Sequence, residues 1–222
     1  MTGQGPLLAA REVGFRYGSG TDDFHVEGWS AEFPRGAVTA MTGPSGCGKS
    51  TRLYLLALML RTTAGAVELA GRRVDDLSDA ARAELRATRF GFVFQDAALD
   101  TSRSVIDNIL EATLYRGERA RDLRGRAAQL LAQLEVAVPA GRKPGQVSGG
   151  QGQRIATCRA LLGRPEVILA DEPTGNLDPA SAGVVLAALR RHADEGGAVV
   201  VVTHDPSVAE WADHRLALTE AV

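Results

Sequence analysis

The chain has 222 residues, of which 45% are hydrophobic and 23% charged, with a formal net charge of −2. That length and balance fit one large domain, or a domain with a subdomain, around a sizeable core. They give no basic footprint for nucleic acid, and the longest apolar run, LYLLALML at 53–60, is less than half of the ~20 residues a bilayer span needs.

Two cysteines, Cys47 and Cys158, make no disulfide framework and point to a reducing, cytoplasmic setting. The opening MTGQGPLLAAREVGF lacks the charged-then-apolar pattern of a signal peptide. Of the 25 basic residues, only Lys49 and Lys143 are lysine, so where lysine is used carries information.

In chain order, the runs at 7–17 and 24–33 alternate and predict antiparallel strands with one wet face. The run at 37–43 is apolar but for its threonines and lacks polar alternation, as a strand buried on both faces should. It leads into GPSGCGKS, Gly43 to Ser50, which matches the phosphate-loop pattern G-x-x-x-x-G-K-[ST] between a strand and an apolar helix expected over 49–60. Glycines there let successive N–H groups face one anion, and the helix N-terminus adds its positive end. Gly43, Pro44, Ser45, Gly46, Cys47, Gly48, Lys49, Ser50 and Thr51 are therefore candidates to cradle phosphate. Lys49 would reach the β- and γ-phosphates and the Ser50 hydroxyl would ligate Mg²⁺. A glycine turn with a solvent-facing lysine explains this poorly in a chain that writes arginine nearly everywhere. Cys47 reads as a small residue in a permissive position rather than a redox switch.

Further strands are expected at 66–71 and at 89–95, the second ending in Gln95, a candidate to sense metal and water. Residues 96–160 interrupt the strand alternation and read as an inserted helical subdomain. Within it, Leu123, Ala127, Leu131 and Leu134 line one helix face. At 148–154, SGGQGQR resembles a second phosphate loop without a lysine. Ser148, Gly149, Gly150 and Gln151 open a helix expected through 162, a setting that suits an anion.

The buried strand VILAD delivers Asp171 and Glu172 at its end. Beside a phosphate loop, the first carboxylate supports the metal and the second orients or deprotonates the attacking water. Asp178 and Pro179 mark a helix start over 179–193. The last buried strand, 197–204, ends in His204, placed to hold the γ-phosphate from a strand end facing the ligand crevice. Alternating strands and helices with continuously apolar strands argue for a doubly wound α/β parallel sheet.

Taken in order, Tyr17, GPSGCGKST, Gln95, VSGGQGQR, VILADEP, GNLD and His204 resemble the ATP-binding subunit of an ATP-binding-cassette (ABC) transporter, over the whole chain. ADEPTGNLD in particular is similar to the branch serving lipoprotein release, macrolide or peptide export and cell division. The resemblance implies a phosphate-loop NTPase (RecA-like) core with an antiparallel β subdomain, 1–95 and 161–222, and a helical subdomain at 96–160. It implies that Tyr17 stacks on adenine, that Gln95 joins the site to the membrane partner and that Glu172 is the catalytic base. It implies Mg²⁺ at Ser50, Gln95 and Asp171, a γ-phosphate switch at His204, and Asp178 in a loop crossing a dimer interface. Ser148 to Gln151 would then close over ATP held by a second copy of the chain.

Those implications make the chain a hydrolase of Mg–ATP with two partners, a second copy and an integral membrane permease, and no nucleic acid. It would lie on the cytoplasmic face of the membrane through the permease. Val147, Gly152, Arg52 and the segment 97–105 depart from the family pattern, and the last bears on the permease contact. A small-molecule kinase would have no use for SGGQ. Soluble relatives acting on ribosomes or nucleic acid usually carry two cassettes, coiled coils or zinc modules, and a non-hydrolysing module would have lost Glu172 or His204.

Overall fold

Which faces of each strand are apolar decides which of two sheets it joins. The structure, a computed structural model, describes residues 5–17 and 25–219; Phe24, which the sequence assigns to the second strand, lies outside them. In chain order, β1 (Leu8–Arg16) and β2 (His25–Phe33) are followed by β3 (Ala37–Thr42), helix α1 (Lys49–Leu56), β4 (Ala64–Leu69), β5 (Arg72–Arg73) and α2 (Asp79–Arg89). β6 (Phe90–Val93) precedes α3 (Val105–Leu110), α4 (Ala112–Arg116), α5 (Ala120–Gln133) and α6 (Gly149–Leu162). The chain ends as β7 (Val167–Asp171), α7 (Pro179–Asp194), β8 (Ala198–Val202), α8 (Pro206–Trp211) and β9 (His214–Ala217).

Every residue of β3, β7 and β8 is buried, and these strands form the centre of a parallel sheet ordered β6-β7-β8-β3-β9. Side chains alternate across a strand, so each strand feeds two cores. Leu169, Val200 and Val202 join the cluster with Met41, Leu55 and Leu56. Ile168, Ala170, Val199 and Val201 join the cluster with Val185, Leu189 and Ile155 on the other face.

The second sheet is antiparallel, ordered β2-β1-β4-β5, and its Leu8, Ala10, Val13, Val67 and Leu69 pack into the first of those cores. The alternation expected for β1 does not hold. Leu8, Ala9 and Ala10 are buried in succession, and the register shifts between Ala10 and Val13 and again before Phe15. A bulge at Arg11 and Glu12, where Glu12 takes φ +48°, breaks the two-residue period of a strand lying between two others.

The first helix also ends earlier than expected, at Leu56 rather than residue 60, with Leu58 in the left-handed region at φ +56°. Helix α2, which sequence periodicity did not reveal, explains the stop. Arg82 donates to the carbonyls of Leu58 (2.6 Å) and Leu60 (2.8 Å), and Arg86 to Leu58 (2.7 Å). Those guanidinium groups satisfy carbonyls beyond the helix end, which have no partner within the helix. In this 11-residue helix the buried member is an arginine, so the polarity of its faces does not reveal which one turns inward.

The segment between β5 and α2 is pinned by Asp75, whose buried carboxylate accepts from Val67 N (2.8 Å), the Thr62 hydroxyl (2.8 Å) and Arg73 (3.0 Å). Burial pushes its pKa up, but these donors outweigh that and hold it below the ordinary carboxylate value. The charged form therefore stabilises the fold fully above the unfolded-state pKa of ~3.9, and this is lost as pH falls through the lower folded value. Asp75→Asn should cost about 2 kcal/mol in urea denaturation at pH 7. The gap from wild type should shrink below about pH 4; an undiminished gap there would assign the loss to amide packing instead of charge.

Candidate nucleotide site

Parallel register brings the candidate residues to one edge of the sheet. Val93 pairs with Ala170, Asp171 with Val202, and Val202 with Met41. Continuing each strand by one or two residues sets Gln95, Glu172, Thr203 and Thr42 level, with the phosphate loop starting just beyond. A cleft of about 500 Å³ opens there, lined by Tyr17, Ser45, Gly46, Gly48, Lys49, Ser50, Thr51, Gln95, Asp171, Glu172 and His204.

The phosphate loop keeps its curl because side chains are excluded. A Cβ on Gly43 would meet the Leu218 carbonyl at 2.6 Å and Cys47 Sγ at 2.8 Å. Gly46 and Gly48 take φ +82° and +80°, which L side chains rarely adopt. Gly43 and Pro44 act through their carbonyls: both accept from Lys49 Nζ, at 2.9 and 2.8 Å, fixing the ammonium at the loop. Cys47 is buried beneath the loop, off the cleft surface.

Opposite the loop, Glu172 follows β7 in a left-handed conformation, φ +47°, which disfavours a residue with a side chain. Its N–H donates to Val202 O (3.0 Å) and its carbonyl accepts from Gly175 N (3.2 Å), so the surroundings hold it there. The turn aims its carboxylate at His204: Nδ1 lies 2.7 Å from Glu172 Oε1. The glutamate is 12% exposed and the imidazole 72%, so one edge of the ring faces the open cleft.

Asp171 is buried at the strand end. Burial raises its pKa above the ordinary value and the neighbouring Glu172 charge adds to this, while hydrogen bonds to the Ser50 and Tyr54 hydroxyls oppose it. Tyr54 Oη stands 3.5 Å from Asp171 Oδ2. Sequence reasoning passed over Tyr54, although it lies one helical turn after Ser50, on the same face of α1. Ser50, Asp171 and Gln95 offer only oxygen and amide ligands, the donor set a hard divalent cation such as Mg²⁺ takes, and the buried carboxylate beside a hydroxyl fits that ion.

The second glycine loop lies beside this cleft rather than in it. Ser148 caps α6: its Oγ accepts from Gln151 N (3.2 Å), and Gln151 Oε1 accepts from Ser148 N (3.0 Å), a reciprocal capping box. The Gln151 side chain is thus committed to its own helix. Ser148 and Gly149 line a separate cleft of about 290 Å³ that shares Gln95 and Glu172 with the first. Gln153, absent from the sequence candidates, is buried and donates through Nε2 to Phe94 O (2.8 Å), tying α6 to the strand that delivers Gln95.

Asp178 does not line the phosphate cleft. It caps α7, accepting from Ala180 N and Ser181 N at 3.0 Å each. The Ser181 hydrogen bonds chiefly hold its carboxyl below the ordinary range. A Cβ on Gly150 would come within 3.2 Å of Ser181 Oγ, so the start of α6 packs on the first turn of α7. The glycine loop and Asp178 consequently share one surface.

Known proteins match this arrangement closely. The profile of the ABC transporter family aligns with residues 26–175. The lipoprotein-releasing system ATP-binding protein LolD of Paramagnetospirillum magneticum is 40% identical over 205 residues, 91% of each chain. The macrolide export ATP-binding/permease protein MacB 1/2 of Paracoccus denitrificans is 42% identical over 212 residues, which are 95% of this chain and 32% of that one. Two solved structures are similar throughout. A dimeric bacterial ABC transporter cassette superposes with a TM-score of 0.87 at 31% identity, over 96% of this chain and 94% of that one. A dimeric cassette in a post-hydrolysis state bound to ADP and Pi superposes with a TM-score of 0.86 at 30% identity, over 95% and 94%.

Gly152 lies within the first turns of α6, and a Cβ there would make ordinary contacts, 3.7 Å to Ala97 Cβ and 3.9 Å to Leu99 Cδ1. Gly152→Ala should therefore stabilise the chain by about 1 kcal/mol in urea denaturation, since the helix loses backbone entropy without a clash. A loss of stability would mean that the helix start needs glycine's freedom.

Proposed function

The chain belongs to the ABC transporter family as an ATP-binding domain, and from that premise we propose that it hydrolyses ATP between two copies of itself to drive a membrane permease. The work we assign to the pair is export, or envelope work, on a lipoprotein, peptide or drug-like substrate. One observation carries the catalytic reading. A carboxylate forced into left-handed backbone, Glu172, is hydrogen-bonded to a strand-end imidazole, His204, across a cleft from a lysine-bearing phosphate loop.

In this reading Lys49 exchanges the carbonyls of Gly43 and Pro44 for phosphate oxygens, and the N–H groups of the loop surround the same anion. Ser50, Asp171 and Gln95 would hold Mg²⁺, which when bound would supply neutralisation of phosphate charge. Glu172 accepts the proton of the attacking water. When the His204 ring is protonated, Nδ1–H stays on Glu172 and Nε2–H is left to donate to the γ-phosphate. Tyr17, 44% exposed and packed edge-on against Phe15 with ring centroids 4.6 Å apart, offers its ring to the adenine.

The glycine loop Ser148–Gly150 and Asp178 then belong to the neighbouring copy's site. Each chain supplies a phosphate loop and a glycine loop, so a twofold head-to-tail pair completes two sites at once. The related LolD and MacB proteins are named for lipoprotein release and for export joined to a permease, and this supports a permease as the second partner. Among the described residues no helix is long and apolar enough to cross a membrane, and we place the chain on the inner face of the membrane through that permease. The groove between β6 and α4, lined by Phe92, Phe94, Ala98 and Tyr115 and flanked by exposed Leu114, offers the permease an apolar seat next to the departing 97–105 segment. Residues 96–160 act as the arm that carries the glycine loop.

Glu172→Gln should retain ATP binding, lower turnover by at least about a hundredfold, and trap an ATP-bound dimer visible by size-exclusion chromatography. Turnover near the wild-type rate would remove Glu172 as the base. Ser148→Arg should leave ATP binding by the monomer intact and abolish both that dimer and ATP turnover. A dimer that still forms would place the glycine loop outside the interface.

A further inference from the structure

Arg52 stands where the family usually has an apolar residue, three positions after the phosphate-loop lysine. It does not reach solvent. The side chain is 8% exposed and turns back under the loop, where Nη1 donates to Cys47 O at 2.7 Å and lies 3.4 Å from Gly48 O. Its guanidinium carbon stands 5.6 Å from the centroid of Trp29, a residue of the antiparallel sheet. Among the described residues it has no carboxylate within ion-pair distance and its Nε has no hydrogen-bond partner. Burial lowers its pKa from the ordinary value, yet a guanidinium keeps its proton.

The geometry has a consequence for the peptide joining Cys47 to Gly48. In a trans peptide the C=O and N–H point in opposite directions. With the Cys47 carbonyl drawn inward to Arg52, the Gly48 N–H points outward, and Gly48 lines the phosphate cleft. A peptide flip would bring the carbonyl oxygen into the anion's place; with glycine at 48, φ +80°, the backbone alone does little to prevent it. Among the described residues no carboxylate pairs with this buried cation, which lies directly behind the peptide, so an anion bound in the cleft would balance it.

We infer that Arg52 is a positioning residue of the phosphate loop: it locks the Cys47–Gly48 peptide with its N–H toward the nucleotide phosphates and lends them its buried charge. The inference rests on the nucleotide entering this loop. It ties the site to the antiparallel sheet through Trp29, a connection the phosphate-loop motif does not contain. Because the peptide lies in the loop common to di- and triphosphates, the effect should be the same for ADP and ATP.

Equilibrium binding of fluorescent ATP and ADP analogues to the purified chain tests this, alongside thermal melting and steady-state turnover. Arg52→Met and Arg52→Gln, two neutral side chains of similar reach, should each weaken both nucleotides about tenfold, while Arg52→Lys recovers most of the loss. KM for ATP should rise in step with Kd and kcat stay within about twofold, because the contact is made equally in ground and transition states. Either neutral variant suffices if the other does not fold. Nucleotide affinities within twofold of wild type, whatever the melting temperature does, would overturn the role, as would a lysine variant no better than glutamine. Failure of the wild-type chain to bind either nucleotide would overturn the nucleotide reading itself.

Discussion

The requirement that one small volume satisfy a polyphosphate and an attacking water governs the whole arrangement, and the parallel register of five strands is what meets it. Parallel strands end at the same edge, so β3 hands over the phosphate loop where β7 hands over Asp171 and Glu172 and β8 hands over His204. The central strands β3, β7 and β8 are covered on both faces and carry apolar residues along their middle apart from the buried Thr39. Chemistry is thereby confined to the strand ends, and the aliphatic runs of β7 and β8 act as rigid supports rather than participants. The site inherits its rigidity from the two cores on either side of those strands.

Within that frame, local strain is placed where orientation matters. Glu172 occupies left-handed backbone that glycine would adopt more easily, and it is held by hydrogen bonds to Val202 and Gly175. A glycine there would relieve the strain and remove the carboxylate. The phosphate loop makes the reverse choice: close packing on Leu218 and Cys47 demands glycine at 43, and Gly46 and Gly48 take left-handed backbone without strain. Arg52 adds to the loop from beneath what glycine cannot supply, a fixed peptide orientation and a charge.

The second glycine loop has a different character. Its capping box satisfies its own helix through Ser148 and Gln151 and leaves a small-residue surface next to the cap of α7. A single chain therefore holds the phosphate loop in one cleft and the second glycine loop in a neighbouring one, the surface that the proposed pair would bring over its partner's nucleotide. Gln153, bonded to Phe94 just past β6, ties α6 to the segment that delivers Gln95, and Gln95 lines both clefts.

By itself the sequence determined the α/β class, the phosphate loop, the strand ends carrying Asp171, Glu172 and His204, and the helix starts at Ser148 and Asp178. These are legible because each depends on local rules: continuous apolar runs for buried strands, glycine spacing for an anion loop, and cap residues for helices. Tertiary structure decided the rest. The bulge in β1, the early end of α1 and the arginine-anchored helix α2 arise from partners distant in sequence, such as Arg82 on the Leu58 carbonyl. Likewise Tyr54 against Asp171, Gln153 against Phe94 and Arg52 beneath Cys47 and Trp29 read in sequence as an ordinary helix residue, a neighbour of a glycine loop and a departure from pattern. Only folding gives those side chains their roles, because a buried polar group takes its meaning from the donor or acceptor it meets, and that partner is chosen by packing and not by spacing along the chain.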